Sequence, residues 1–311
     1  MTVEILQLCP LLPTLEAALE QRFRVHRGFD AAARDAVTAA HAPAVRAVVT
    51  GGHIGVSNDL MARLPALEIV AINGVGFDKV DLENARHRGV RVTNTPDVLT
   101  DDVADLAIGL ALALLRRIPQ ADRHVRDGRW PSGDMPLGRR MSARRFGILG
   151  LGRIGRAVAR RLEGFDVPIA YSDIVRQEVG YRFCETPLVL AEHCDVFIVA
   201  AAAGSGTGKL VDRAILDAIG PDGVLINVSR GALVDEAALV AALAEGRLGG
   251  AALDVFADEP NVPAALAEMP NVVLTPHIAS ATTDTRQSMA SLVLANLDAH
   301  FRGGPLPTAV A

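Results

Sequence analysis

Lysine is nearly missing from this chain. Of its 31 basic residues only Lys79 and Lys209 are lysines; all the others are arginines. Val75 and Ser205 stand four positions before them, so no Tyr-x-x-x-Lys catalytic pair exists. Nor is basic charge in surplus: the net charge of −5 offers no cationic footprint for nucleic acid. Long apolar runs are absent as well. The longest, Leu106 to Leu115, holds ten residues, against roughly 20 needed to span a bilayer. Cysteine is scarce, and Cys9, Cys184 and Cys194 are odd in number and lack metal-ligand spacing. The expectation is reduced, buried thiols in a cytoplasmic protein, with no metal site. Glu4 lies within the N-terminal apolar run and no basic leader precedes it, so no secretory signal is expected.

What is present is informative. With 311 residues, half of them hydrophobic and 22% charged, the chain has the makings of two globular domains with separate cores. The apolar run Phe146-Gly147-Ile148-Leu149 leads into Gly150-Leu151-Gly152-Arg153-Ile154-Gly155 and then a helix-like segment. This G-x-G-x-x-G turn suits a pyrophosphate: Gly150 allows the tight turn, Gly152 lets phosphate approach the main chain, and Gly155 lets helix and strand pack. A second apolar run, Val167 to Tyr171, ends just before Asp173, where a ribose-binding acid belongs. A turn-forming aspartate is the other reading of Asp173.

Short apolar runs alternate with helix-like stretches along the chain. Val3–Cys9, Ala47–Thr50, Glu68–Ile72 and Val90–Thr93 form a first set. Phe146 onward, Val167–Tyr171, Asp195–Ala200, Val224–Val228, Ala251–Val255 and Val272–Thr275 form a second. That rhythm predicts α/β architecture with two doubly wound parallel sheets. Thr100 to Arg117 reads as a long helix with Thr100 as cap and arginines in the last turn. A final helix over Thr283 to Phe301 has the length to return to the first unit. The expected domains are 1–97 with 284–311, and 98–283, with the active site in the cleft between them.

Three polar residues follow segments of the second set: Arg230 after Val228-Ser229, Glu259 after Asp254-Val255, and His277 after Thr275-Pro276. Taken singly each is unremarkable. Together they suit one reaction. Arginine binds a carboxylate bidentately, histidine passes a proton to a carbonyl oxygen, and a carboxylate favours the imidazolium and orients it. Beside a nicotinamide, this set describes reduction of a 2-oxo acid to a 2-hydroxy acid.

Six ordered stretches carry a resemblance over essentially the whole chain: 74–82 (GVGFDKVDL), 92–110, 146–155, 226–236 (INVSRGALVDE), 249–263 and 271–280 (NVVLTPHIAS). The chain resembles the D-isomer-specific 2-hydroxyacid dehydrogenases, in the glyoxylate/hydroxypyruvate and hydroxyphenylpyruvate reductase branch. The resemblance implies a Rossmann cofactor domain and a flavodoxin-like substrate domain. It implies Arg230 on the substrate carboxylate together with backbone N–H groups of Val75 and Gly76, His277 as acid/base and Glu259 as its partner. It places Gly150, Gly152, Arg153, Ile154, Gly155, Asp173 and Val228 at the cofactor, with Asp254 on the nicotinamide amide, and implies a homodimer joined through the cofactor domains. Asp173 followed by Ile174 favours NAD, with NADP open if Arg176 pairs with a phosphate. The loop Ala201-Ala202-Ala203-Gly204-Ser205 departs from the family's usual Cys-Pro-Leu-Thr-Pro-like sequence. Two other readings stay open: an NAD(H)-sensing, corepressor-like binding protein of the same fold, and a short D-3-phosphoglycerate dehydrogenase.

Overall fold

The computed structural model describes residues 2–204 and 206–311. Its chain divides into two units, one made of residues up to Leu99 together with Ala281–Ala311, the other of Thr100–Ser280. The first boundary falls two residues after the one expected from sequence, and the second three residues before.

In the first unit the strands are β1 (Glu4–Gln7), β2 (Arg24–Arg27), β3 (Val45–Gly51), β4 (Ile69–Asn73) and β5 (Arg91–Thr93). They form one parallel sheet in the order β2-β1-β3-β4-β5, the flavodoxin-like winding. The helices are α1 (Pro13–Arg22), α2 (Ala31–His41), α3 (Asn58–Arg63) and α4 (Leu82–His87). A parallel sheet is covered on both faces, so its central strands are apolar throughout rather than alternating. Leu6, Val48 and Val70 face a layer holding Leu60, Met61 and Leu64 of α3. Ile5, Ala47, Val49, Ile69 and Ala71 face the other, with Leu15 and Leu19 of α1. Each valine, leucine, isoleucine or methionine among them taken fully out of water contributes roughly 1.5–3 kcal/mol. β2 was not expected from sequence. It is a polar edge strand, RVHR, and none of its four residues is buried.

The second unit holds a seven-stranded parallel sheet of β6 (Phe146–Leu149), β7 (Ile169–Ser172), β8 (Arg182–Phe183), β9 (Val196–Val199), β10 (Val224–Asn227), β11 (Gly250–Leu253) and β12 (Val272–Leu274). Its order, β12-β11-β10-β9-β6-β7-β8, reverses direction between β9 and β6, and ligands of open α/β sheets bind outside the carboxyl ends at such a point. The helices are α5 (Thr100–Leu115), α6 (Ile118–Arg126), α7 (Arg153–Glu163), α8 (Pro187–Glu192), α9 (Arg213–Ile219), α10 (Glu236–Ala244) and α11 (Ala264–Glu268). The last helix, α12 (Thr283–Phe301), returns to the first unit and packs its Ala290, Val293 and Leu297 on the Ile5 face of that sheet.

α5 stops earlier than the sequence suggested, and its expected terminal arginines lie beyond it. Pro119 has no N–H for the carbonyl of Leu115, four residues back, so the helix cannot pass. Arg117 turns left-handed at φ 56°, and Arg139 N–H takes the Leu115 carbonyl at 2.7 Å. Among the described residues no helix is long and apolar enough to cross a membrane. The three cysteines are free and buried. Burial pushes the Cys194 thiol up to about 12 and raises the other two, as suits packing groups rather than nucleophiles.

Candidate active site

The glycine turn follows β6 at the reversal point of the second sheet. Gly150 has φ +90°, and a Cβ there would lie 2.5 Å from Ala201 Cα; at Gly155 it would lie 2.0 Å from the Gly150 carbonyl oxygen. Only glycine fits either place. Gly152 is different: nothing stands within 4 Å of where its Cβ would be. It is the N-cap of α7, no side chain caps that helix, and no acid stands in its first turn. Gly152 therefore leaves open space at the start of α7, the positive end of a helix dipole, which fits a pyrophosphate.

Asp173 follows β7 and faces the same turn. Its Oδ2 accepts from Leu151 N–H and its Oδ1 from Ile174 N–H, both at 2.7 Å. The carboxylate thereby locks the glycine turn while keeping lone pairs for hydroxyl donors. Arg176 lies with its guanidinium 5.9 Å from the Phe183 ring centre. Ser205, the end of the Ala201 loop, is outside the described residues.

The other site residues leave three adjacent strands. Asn227 of β10, Leu253 of β11 and Leu274 of β12 are in register, so the segments carrying Arg230, Asp254–Glu259 and His277 emerge at one edge. His277 Nδ1 lies 2.7 Å from Glu259 Oε2, with side chains 32% and 22% exposed. A carboxylate only accepts, so Nδ1 carries the proton of this bond. The other Glu259 oxygen accepts from Phe256 N–H at 3.0 Å, which fixes the carboxylate before the histidine reaches it.

Arg230 is held by its own turn. Asn227 Nδ2 donates to the Arg230 carbonyl at 3.0 Å, and Arg230 Nη1 donates to the Ser229 carbonyl at 2.8 Å. Val228, just before it, is buried. Gly231 explains how this turn meets the next one: a Cβ there would lie 1.9 Å from Phe256 C. The Arg230 turn and the Phe256–Glu259 turn touch backbone to backbone, a contact that sequence reading missed.

Asp254 is wholly buried, and its carboxylate points into its own neighbourhood. It accepts from Thr275 Oγ1 at 2.6 Å, Ile278 N–H at 2.9 Å and Ala279 N–H at 2.9 Å, while its carbonyl takes His277 N–H at 2.8 Å. At most one acceptor position then remains for an amide of the cofactor. Its visible work is to hold the His277 loop. Val75 and Gly76 belong to the first unit, in the loop after β4. There Asn94 Nδ2 donates to the Val75 carbonyl at 2.8 Å, and Thr95 N–H donates to the Gly74 carbonyl at 2.9 Å.

A glycine turn that fits a pyrophosphate, in one unit with an imidazole–carboxylate pair, is the arrangement expected of a nicotinamide-dependent dehydrogenase. Residues 108–279 match the model of the D-isomer specific 2-hydroxyacid dehydrogenase NAD-binding domain. The chain is 48% identical to a glyoxylate/hydroxypyruvate reductase of Arabidopsis thaliana over 310 residues, covering 99% of both. It is 50% identical to a hydroxyphenylpyruvate reductase of Plectranthus scutellarioides over 309 residues, with 99% of each covered. An NADPH-dependent glyoxylate/hydroxypyruvate reductase of Sinorhizobium meliloti, solved with NADP and malonate, superposes with a TM-score of 0.95 at 46% identity, covering 100% of this chain and 97% of that one. The chain belongs to the D-isomer-specific 2-hydroxyacid dehydrogenases, in the glyoxylate/hydroxypyruvate and hydroxyphenylpyruvate reductase branch, and is an NAD(P)-dependent oxidoreductase.

Proposed function

We propose that this enzyme reduces a small 2-oxo acid, such as glyoxylate or hydroxypyruvate, to the D-2-hydroxy acid. The observation that carries the reading is the 2.7 Å His277–Glu259 pair, at the strand edge from which Arg230 also emerges. A bound nicotinamide supplies the hydride. Arg230 binds the substrate carboxylate through its planar fork. With Nδ1 turned to Glu259, His277 passes its proton from Nε2 to the carbonyl oxygen. Glu259 keeps the ring oriented and balances the charge of its protonated form.

The proposed cofactor is NAD ahead of NADP. A ribose-binding Asp173 carboxylate would meet the second negative charge of a 2′-phosphate, and like charges about 4 Å apart cost roughly 1–4 kcal/mol between water and a protein surface. NAD then wins by roughly fivefold to several hundredfold. We also propose a homodimer through the second unit. No residue of α6 is buried, and Ile118, Val125, Trp130 and Leu137 are all exposed on or just after it, as a partnered face requires. Light scattering on the purified protein tests this. The buried, unpaired thiols support a reducing, cytoplasmic setting.

The deciding experiment follows NADH and NADPH oxidation with glyoxylate, hydroxypyruvate, 2-ketogluconate and hydroxyphenylpyruvate, alongside matching aldehydes that lack the carboxylate. Turnover of 2-oxo acids and not of aldehydes is expected. Binding of NADH without stoichiometric oxidation by any of them would point to a sensor instead.

A further inference from the structure

On the edge of the first sheet, outside everything assigned above, two imidazoles converge on one carboxylate. Glu4 opens β1, His26 lies on the neighbouring edge strand β2, and His41 ends α2. Glu4 Oε2 is 2.7 Å from His26 Nε2 and 3.5 Å from His41 Nδ1. The two rings stack with centres 4.1 Å apart and planes 26° from parallel. The three ligand atoms all lie within 4.8 Å of one another, the only such trio of His, Cys, Asp or Glu found among the described residues. All three side chains are partly exposed, with His41 the most open at 35%, so an ion has a way in.

We propose that Glu4, His26 and His41 form a binding site for a transition-metal dication of the zinc type, with water completing the shell. Two imidazoles and a carboxylate are a donor set that zinc takes at about 2.0–2.2 Å, and tetrahedral ligands at that length stand roughly 3.3 Å apart. The Glu4–His41 spacing is close to that already. His26 must draw back by about half an ångström, and the stacked rings must open. The half-exposed His41, at a helix end, is free enough to turn. The His26 nitrogen and the Glu4 oxygen share a proton today; on coordination that proton passes to solvent and the metal takes its place. The carbonyl end of α2 adds negative potential beside the ion. One group opposes it: Arg24 Nη1, 3.6 Å from Glu4 Oε1, neutralises part of the carboxylate. The site therefore suits an ion that gains from imidazole as well as from charge, which zinc, nickel and copper do and calcium and magnesium do not.

The test is calorimetric titration of the whole, EDTA-treated enzyme with Zn²⁺, backed by the visible spectrum of Co²⁺. One metal per chain is expected, with a Tm that climbs with metal concentration and a cobalt spectrum of low coordination number. His26→Gln and His41→Gln each weaken binding by about tenfold or more, since losing a ligand costs at least what losing a ligand's supporting contact does. Arg24→Gln tightens it. NADH turnover stays unchanged in all three variants. If His26→Gln unfolds the edge strand, the more exposed His41→Gln and Arg24→Gln still decide the matter. Absence of binding, or binding that neither histidine substitution weakens, overturns the proposal.

Discussion

His277 holds φ at 53°, a left-handed backbone that costs a residue with a side chain on the order of 1–3 kcal/mol. The four hydrogen bonds from residues 275–279 to Asp254 are what keep it there, and the strained turn aims the ring at Glu259. Three outcomes follow at this scale. His277→Ala should lower kcat by about 10²–10⁴-fold, the usual worth of general acid catalysis, while NADH still binds by fluorescence titration; unchanged turnover would remove His277 from the reaction. Asp254→Asn puts an amide where three donors expect acceptors, leaving buried groups unpaired at about 1–3 kcal/mol each. Both Tm and kcat should fall. A drop in NADH affinity alone, with Tm intact, would mean that its main task is the nicotinamide and not the loop. Asp173→Ser should shift the ratio of kcat/KM for NADPH over NADH upward by about fivefold or more, the charge repulsion being what it removes. A ratio that does not move sinks the ribose assignment.

Elements, rather than single residues, bring the site's turns together. Gly231 packs without a side chain on Phe256, so Gly231→Ala forces the Arg230 turn and the Glu259 turn apart. A displacement near 1 Å costs on the order of 10²-fold in rate, and kcat/KM for the 2-oxo acid should fall by that order with NADH binding kept. If both hold at wild-type values, the two turns are not coupled here. This contact was invisible in the sequence, because nothing marks which glycine touches another strand's backbone. Other parts were legible for a physical reason. Strands covered on both faces spell continuous apolar runs, and the turn residues at their carboxyl ends stand out against them; Arg230, Glu259 and His277 were read that way. β2 and β8 were not. Arg24–Arg27 is a wet edge with no apolar signal, and Arg182–Phe183 is two residues long. Missing β2 hid the Glu4–His26–His41 cluster too, since only strand pairing brings position 26 to position 4. The end of α5 was not legible from its arginines, because Pro119 stops the helix whatever charge its last turn carries.

Across the molecule, acid is the weak flank. Glu4, Glu16, Glu68, Asp81, Asp195 and Asp235 all titrate below their ordinary range in the folded state. Glu68 shows the cause: hydrogen bonds from Arg46 at 2.6 and 3.0 Å hold its carboxyl down, outweighing partial burial, and His300 of α12 adds a contact at 3.1 Å. A depressed carboxylate stabilises the fold above its unfolded pKa, near 4.5 for glutamate, and that stability drains away as pH falls through the lower folded value. Tm should therefore be level near neutrality and decline below about pH 4.5. Glu68→Gln should start lower at pH 7 and decline less steeply. Equal slopes for variant and parent would show that this cluster is not part of the acid response.

The return of α12 to the first sheet has a consequence during synthesis. A ribosome releases the first 99 residues, then the whole of Thr100–Ser280, and only afterwards the Ala281–Ala311 segment that the opening sheet needs to seal its Ile5 face. The later-made unit can thus reach its native state first. The earlier-made strands must wait with an apolar face uncovered, and nascent chains stalled before α12 should be the ones that chaperones hold and proteases cut.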